Sequence, residues 1–146
     1  MFPRNLKRLE ANLFSNCHSL RTLDVHPSRS KKLDTIHDHA TPSFMQLPPK
    51  LLSVGDECFL HCHQLGPFVH FPSTVTFLGN HVLEGCTNVN EVVMPAKVVG
   101  DGCFRNCCRL KRLWLALDVA FGVGVFENCH ELQELVDIDT NDIICI

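Results

Sequence analysis

The pattern Phe-x-x-Cys-x-x-Leu returns along the whole chain, at Phe14/Cys17/Leu20, Phe59/Cys62/Leu65, Phe104/Cys107/Leu110 and Phe126/Cys129/Leu132, with a conservative copy at Leu83/Cys86/Val89. The cysteines of successive copies lie 45, 24, 21 and 22 residues apart. Because 45 is two repeat lengths, a degenerate copy is expected between Cys17 and Cys62. A shift by one period puts Thr41, Phe44 and Leu47, with Pro49 after them, at the matching places. Prolines keep the same step at Pro3, Pro27, Pro49, Pro72 and Pro95. A repeat of about 23 residues over a 146-residue chain restricts the fold to architectures in which each unit lies on the one before it.

Each unit opens on Pro-x-x-apolar, often followed by Gly, as in Pro72-Ser-Thr-Val-Thr-Phe-Leu-Gly79, and closes on Leu-x-x-apolar-x-apolar. The closing half has the two-residue alternation of a short strand: Leu20 to Val25, Leu110 to Leu115, Leu132 to Asp137 and, with valine leading, Val89 to Met94. Proline after the strand removes a backbone donor and stops it, and Phe-x-x-Cys is too short for more than a turn or two of helix. One such unit cannot bury its apolar residues alone, whereas stacked copies at the ~4.8 Å strand spacing can. The expected fold is one β-rich solenoid domain over residues 1–146, with one short strand and short helical turns per coil. About six coils of ~23 residues are expected, the degenerate one at 28–49.

These units resemble the BspA-like class of leucine-rich repeats, whose units read Ile-Gly-x-x-Ala-Phe-x-x-Cys-x-x-Leu-x-x-Ile-x-Ile-Pro. Val54-Gly-Asp-Glu-Cys-Phe59-Leu-His-Cys62-His-Gln-Leu65 and Val99-Gly-Asp-Gly-Cys-Phe104-Arg-Asn-Cys107-Cys-Arg-Leu110 match most closely. Departures are the unit at 28–49, the shortened link Pro95 to Gly100 and the missing proline near Ala116. The resemblance implies a curved solenoid used for adhesion or protein recognition, often at cell surfaces, without catalytic residues.

Composition narrows the classes of function. A hydrophobic share of 45% supports a continuous core, and a net charge of -3 lacks the attraction to phosphate that drives nucleic-acid binding or a polybasic membrane tether. The longest stretch without Asp, Glu, Lys or Arg, Cys58 to Leu83, is broken by Pro67, Pro72 and several polar residues, so no membrane insertion is expected. Met1-Phe-Pro-Arg-Asn-Leu-Lys-Arg puts charges where an export signal needs apolar residues, and neither Phe2 nor Cys145 fits a lipidation motif. The missing signal and unpaired thiols point to the cytosol and the resemblance points to a cell surface, so the compartment stays open.

Nine cysteines and nine histidines raise the question of metal or disulfide chemistry. Cys17, Cys62, Cys86, Cys107 and Cys129 share one repeat position, where a small, weakly polar side chain suits a crowded interior, and Cys58 and Cys103 fall just before Phe as further core residues. Cys108 and Cys145 lie off this ladder as the candidate reactive thiols. His37-Asp-His39 and His61-Cys-His63 are the dense histidine clusters, and a metal module using His37, His39, His61 and Cys62 would need its ligands to converge. His63 shares its position with His18, Cys108 and His130, a solvent-facing edge. Asn16, Asn106 and Asn128 are expected to bond turn backbone. No Gly-x-Ser-x-Gly elbow or complete phosphate loop occurs, so no enzyme, no cofactor and no metal site are assigned.

With the leucines of Leu-x-x-Leu-x-Leu inward, the residues between them face outward on the concave side. Unit by unit these are Thr22 and Asp24, Gln46 and Pro48, Pro67 and Val69, Glu91 and Val93, Arg112 and Trp114, Glu134 and Val136. The expected partner-binding surface is Asp24 with the apolar column Val69, Val93, Trp114, Val136 and the charged column Glu91, Arg112, Glu134, which suits a protein partner. The alternative is a structural subunit or array fragment that self-associates or joins a larger assembly through uncapped ends, since no polar cap follows the strand around Leu135.

Overall fold

The computed structural model describes residues 2–24 and 44–144, with the side chains at 23, 24 and 44–46 outside that description. Among the described residues, twelve short strands form two sheets in a β-solenoid of about four turns. The smaller sheet takes β1 (Arg8–Leu9), β4 (Ser53–Val54), β6 (Phe77–Leu78), β8 (Val98–Val99) and β10 (Ala120–Phe121), in that order and parallel. The larger sheet contains β2 (Thr22–Asp24), β3 (Phe44–Gln46), β5 (Phe68–His70), β7 (Glu91–Met94), β9 (Arg112–Leu115), β11 (Glu134–Asp137) and β12 (Ile143–Ile144), in the order β12-β11-β9-β7-β5-β2-β3. The alternating Leu-x-x-Leu-x-Leu halves thus make the larger sheet, and the Pro-x-x-apolar-x-x-apolar-Gly halves make the smaller one.

Between the sheets, the repeat positions form columns that bury one continuous core. Leu9, Val54, Leu78 and Val99 line the inner side of the smaller sheet, and Val69, Val92 and Leu113 that of the larger. Phe14 stacks on Phe59 with ring centroids 5.5 Å apart, and Phe104 on Phe126 at 5.9 Å. These offset contacts repeat because each coil places the same residue at the same height.

The Phe-x-x-Cys stretches are turns, and no helix occurs among the described residues. The reason lies in two left-handed positions per coil: Asn12, Glu57, His81, Gly102 and Gly124, and four residues later Asn16, His61, Gly85, Asn106 and Asn128, all at φ between 55° and 74°. A right-handed helix cannot pass through such residues. The left-handed turn instead points alternate amides at the next coil. Asn12, Phe14 and Asn16 donate to the carbonyls of Asp56, Cys58 and Leu60 at 2.9, 2.9 and 2.7 Å, and the set repeats one coil on. Asn16, Asn106 and Asn128 therefore serve chiefly by tolerating this conformation. Their amides bond side chains rather than backbone, Asn16 to Ser15 Oγ and Asn128 to Asn106 Oδ1.

A second ladder, absent from the expectations, runs beside the glycine that follows each smaller-sheet strand. Asp56 Oδ1 accepts the Asn80 amide, Asn80 Oδ1 the Asp101 amide and Asp101 Oδ1 the Val123 amide, each at 2.8 Å. At Gly79 a Cβ would meet the Asp56 amide nitrogen at 2.8 Å and the Gly55 carbonyl carbon at 2.9 Å, so only glycine lets the coils approach this closely.

The coil of Cys17 and the coil of Cys62 are direct neighbours. β1 pairs with β4, Leu23 aligns with Val69, and the Phe14 and Phe59 rings touch. The coil expected between them does not lie there: residues 25–43 fall outside the described residues, and β3 pairs on the far side of β2 as an edge strand. At the opposite end the chain does not simply stop after Leu135. It turns back, and β12 pairs antiparallel with β11. Buried Asp137 holds that turn, its Oδ1 accepting the Asp139 amide and its Oδ2 the Thr140 hydroxyl, both at 3.0 Å.

Glu57 occupies a left-handed position at φ 55° where a side chain costs roughly 1–2 kcal/mol. Glu57→Gly removes that cost against a smaller entropic penalty of about 0.5–1 kcal/mol. A net stabilisation of about 0.5–1 kcal/mol in urea unfolding is expected, whereas Gly79→Ala loses more than about 2 kcal/mol in the same measurement.

Candidate partner-binding face

Strand register assembles two rows across the outer face of the larger sheet. Phe68, Glu91, Arg112 and Glu134 align across β5, β7, β9 and β11, and His70, Val93, Trp114 and Val136 form the row beside them. β12 extends the second row, because Ile143 pairs with Val136. Directly opposed residues of an antiparallel pair share a face. Leu23 aligns with Val69, which sets the backbone of Thr22 and Asp24 beside the strand carrying Phe68 and His70. The Asp24 side chain lies outside the described residues.

Within the charged row, Arg112 is clamped from both sides. Its Nε donates to Glu134 Oε2 at 2.5 Å, and its Nη1 lies 3.8 Å from Glu91 Oε1. The hydrogen bond to Glu134 holds the guanidinium charged by raising its pKa. The same guanidinium sits 5.4 Å from the Trp114 ring centroid, a cation–π contact. Trp114 is half-buried on the outer face and is not a core residue. Glu91, Val93, Arg112, Trp114 and Glu134 therefore come together as expected.

Two expected members are corrected. Val69 is 1% exposed and belongs to the core, in register with Val92. Its coil has four steps from Leu65 to Val69 where the others have three, as from Leu110 to Leu113. One extra residue reverses the in-and-out order of a strand, so Phe68 and His70 take the outer positions. Phe68 is 54% exposed and is the large apolar residue that the shifted count missed. Val136 stands in the expected column but is 5% exposed, packed between the Trp114 strand and β12, and Ile143, 64% exposed, presents the apolar surface there instead. Pro48, also expected outside, is buried.

The other candidate chemistry resolves differently. His61 and Cys62 do not converge on a common centre. The His61 ring packs under Gly85, where a Cβ would lie 2.2 Å from Nδ1, and the Cys62 thiol donates to the Phe14 carbonyl at 3.1 Å. His18 stacks flat on His63 at 5.6 Å, an exposed edge, and His37 and His39 lie outside the described residues. Among the described residues, no group of three or more His, Cys, Asp or Glu side chains is arranged to hold a metal.

The cysteine ladder has one repeated bond. Cys62, Cys86, Cys107 and Cys129 each donate the thiol to the carbonyl of the Phe-position residue one coil back, Phe14, Phe59, Leu83 and Phe104, at 3.1, 3.2, 3.1 and 3.0 Å. Each of those carbonyls also accepts the amide of the cysteine in its own coil. The thiol thus takes the second lone pair of a carbonyl that would otherwise be half-used. Burial pushes Cys58 and Cys103 up to about 12 and Cys62 and Cys129 up to about 11, and raises Cys86 and Cys107 as well. Cys108 is exposed, and Cys145 lies outside the described residues.

This stack of strand-turn coils defines the class as a leucine-rich repeat solenoid. The profile "BspA type Leucine rich repeat region (6 copies)" matches residues 1–40 and 36–145, and the chain belongs to the BspA-type leucine-rich repeat family. The crystal structure of the T. pallidum leucine-rich repeat protein is similar at 26% identity and a TM-score of 0.69, over 90% of this chain and 52% of that one. A leucine-rich repeat protein from Bacteroides ovatus shares the fold at 19% identity and a TM-score of 0.50, over 90% of this chain and 40% of that one. The chain therefore spans about half the length of these neighbours or less. It matches no curated protein.

The raised thiols make stability pH-dependent with a definite sign. An unfolded thiol ionises near 9.0 while Cys62 and Cys129 stay protonated to about 11 and Cys58 and Cys103 to about 12, so the unfolded state binds fewer protons above pH 9. The stability they contribute is complete below pH 9 and is lost as pH rises through 11 to 12. Urea unfolding at pH 8 and pH 10.5 should show that loss, and at pH 7.5 the native chain should be alkylated at Cys108 ahead of every ladder thiol.

Proposed function

We propose that this chain is a non-catalytic recognition scaffold that binds a protein partner through the outer face of its larger sheet. The observation that carries this reading is the pair of in-register rows: Phe68, Trp114 and Ile143 offer apolar contact, and Arg112 stands beside the tryptophan, held by Glu91 and Glu134. Tryptophan and arginine are the residues most enriched among interface hot spots, and an exposed apolar row edged by charge is the usual form of such a site. The rows stand on strands fixed from behind by a core with one side chain per coil in each column, so little ordering remains to be done on binding. The same family resemblance that implied recognition or adhesion supports the reading.

Peptides selected from a random library on the native chain provide the test. Those that bind this face should lose roughly thirty-fold in affinity on Trp114→Ala, about 2 kcal/mol, and a comparable amount on Arg112→Glu. Circular dichroism should stay unchanged because neither side chain belongs to the core. A selected pool indifferent to both substitutions, or a chain that unfolds on losing Trp114, overturns the assignment.

A further inference from the structure

Ion pairs in this stack run from a cation to a carboxylate one coil ahead. Lys97 meets Asp118, Arg105 meets Glu127, Lys111 meets Glu131 and Arg112 meets Glu134, at 2.5, 2.8, 3.6 and 2.5 Å. Glu91, on the outer face of the larger sheet, departs from this series. The residue aligned with it one coil back is Phe68, which carries no charge. One coil ahead, Arg112 brings its Nη1 only to 3.8 Å, while its Nε is committed to Glu134. That separation is too long for a hydrogen bond, and Glu91 accepts none from the described residues.

The surroundings of Glu91 fit a cation that comes from outside. Phe68 stands exposed on one side of it, and Trp114 lies diagonally across on β9, opposite Val93. A lysine or arginine laid here can rest its apolar stem on Phe68 while its charge meets Glu91, and the Phe68 ring face attracts the same cation. An anion finds no comparable place. In the two rows from β5 to β12, Arg112 is the one lysine or arginine, and it stands between Glu91 and Glu134. A carboxylate from a partner would reach it only beside two others. Two glutamates against one arginine leave that row at a formal charge of -1. Farther along the face, Ile143 follows exposed Asp142, and no lysine or arginine occurs from Leu113 to Ile144.

We propose, resting on the reading that this face binds a protein partner, that the partner presents a basic segment, with a lysine or arginine on Glu91 and large apolar residues on Phe68 and the row from Trp114 to Ile143. Arg112 belongs to the frame of this site and is no receptor for an acidic group. It holds Glu134 and lies against Trp114, so Arg112→Glu disorders both rows even though it adds negative charge. The sign of the field around the apolar row then selects among partners and steers the basic ones to it.

Peptides selected from a random library on the native chain, then synthesised with blocked ends, are the probe. Those lost with Trp114→Ala should carry net positive charge, with lysine or arginine beside an aromatic or large aliphatic residue. Their affinity should fall as salt rises from about 0.05 to about 0.3 M. At pH 8, where an ordinary imidazole is neutral, Glu91→Gln should weaken them about threefold and Glu91→Lys about tenfold, with unchanged circular dichroism. Glu10→Lys, the same charge change at an exposed position beside the smaller sheet, should alter affinity by less than about twofold. Trp114-dependent peptides that are neutral or acidic, that tolerate both Glu91 substitutions, or that lose as much to Glu10→Lys overturn the basic partner and leave the face standing. Peptides indifferent to Trp114→Ala overturn both.

Discussion

Everything in this molecule depends on the two left-handed turns that each coil makes four residues apart. They aim the amides of residues such as Asn12, Phe14 and Asn16 along the stack instead of back into their own turn, which converts a local reversal into coil-to-coil bonding. A left-handed position favours Gly or Asn, and seven of the ten are Asn or Gly; Glu57, His61 and His81 are the exceptions. The exceptions fall in the two coils where neighbouring contacts hold the conformation: His61 lies against Gly85 and His81 against Gly102, each ring filling the space that its neighbour's missing Cβ leaves. Turn geometry and side-chain size are thus matched between adjacent coils.

The same turns explain the cysteines. Once the chain reverses at Phe-x-x-Cys, the carbonyl at the Phe position faces the next coil with one lone pair already used by its own cysteine amide. A residue at that spot must be small enough for the interior and must carry a donor. Alanine lacks the donor, and serine carries a stronger hydroxyl at the cost of the apolar bulk that the core fills, whereas a thiol supplies both size and a weak donor. The ladder is therefore a packing and hydrogen-bonding device, and at Cys62, Cys86, Cys107 and Cys129 burial raises the thiol pKa and favours the protonated donor.

How far the sequence disclosed this follows from how strictly each part obeys the period. The repeat, the solenoid, the interior place of Cys58, Cys103 and the ladder, and the outer place of Glu91, Val93, Arg112, Trp114 and Glu134 all depend on spacing alone, and spacing is visible in a string of letters. Val69 failed because a single extra residue after Leu65 reverses parity, and nothing in the letters tells whether an insertion is absorbed before the strand or after it. The pairing of β3 and the presence of β12 were illegible for a related reason. Each sits outside the stacked coils, β12 even runs antiparallel, and the pairing of an edge strand is decided in three dimensions. Ile143 joined the outer row only through that pairing.

The rows through Trp114 are complete as they stand: the cation is paired on both sides, the ring lies against it, and the strands beneath are joined from β5 to β12. The partner proposed for this face gains by covering apolar surface and displacing water around a charge cluster already at its final geometry, and a rigid row of this kind rewards shape and charge complementarity over a general affinity for apolar surface.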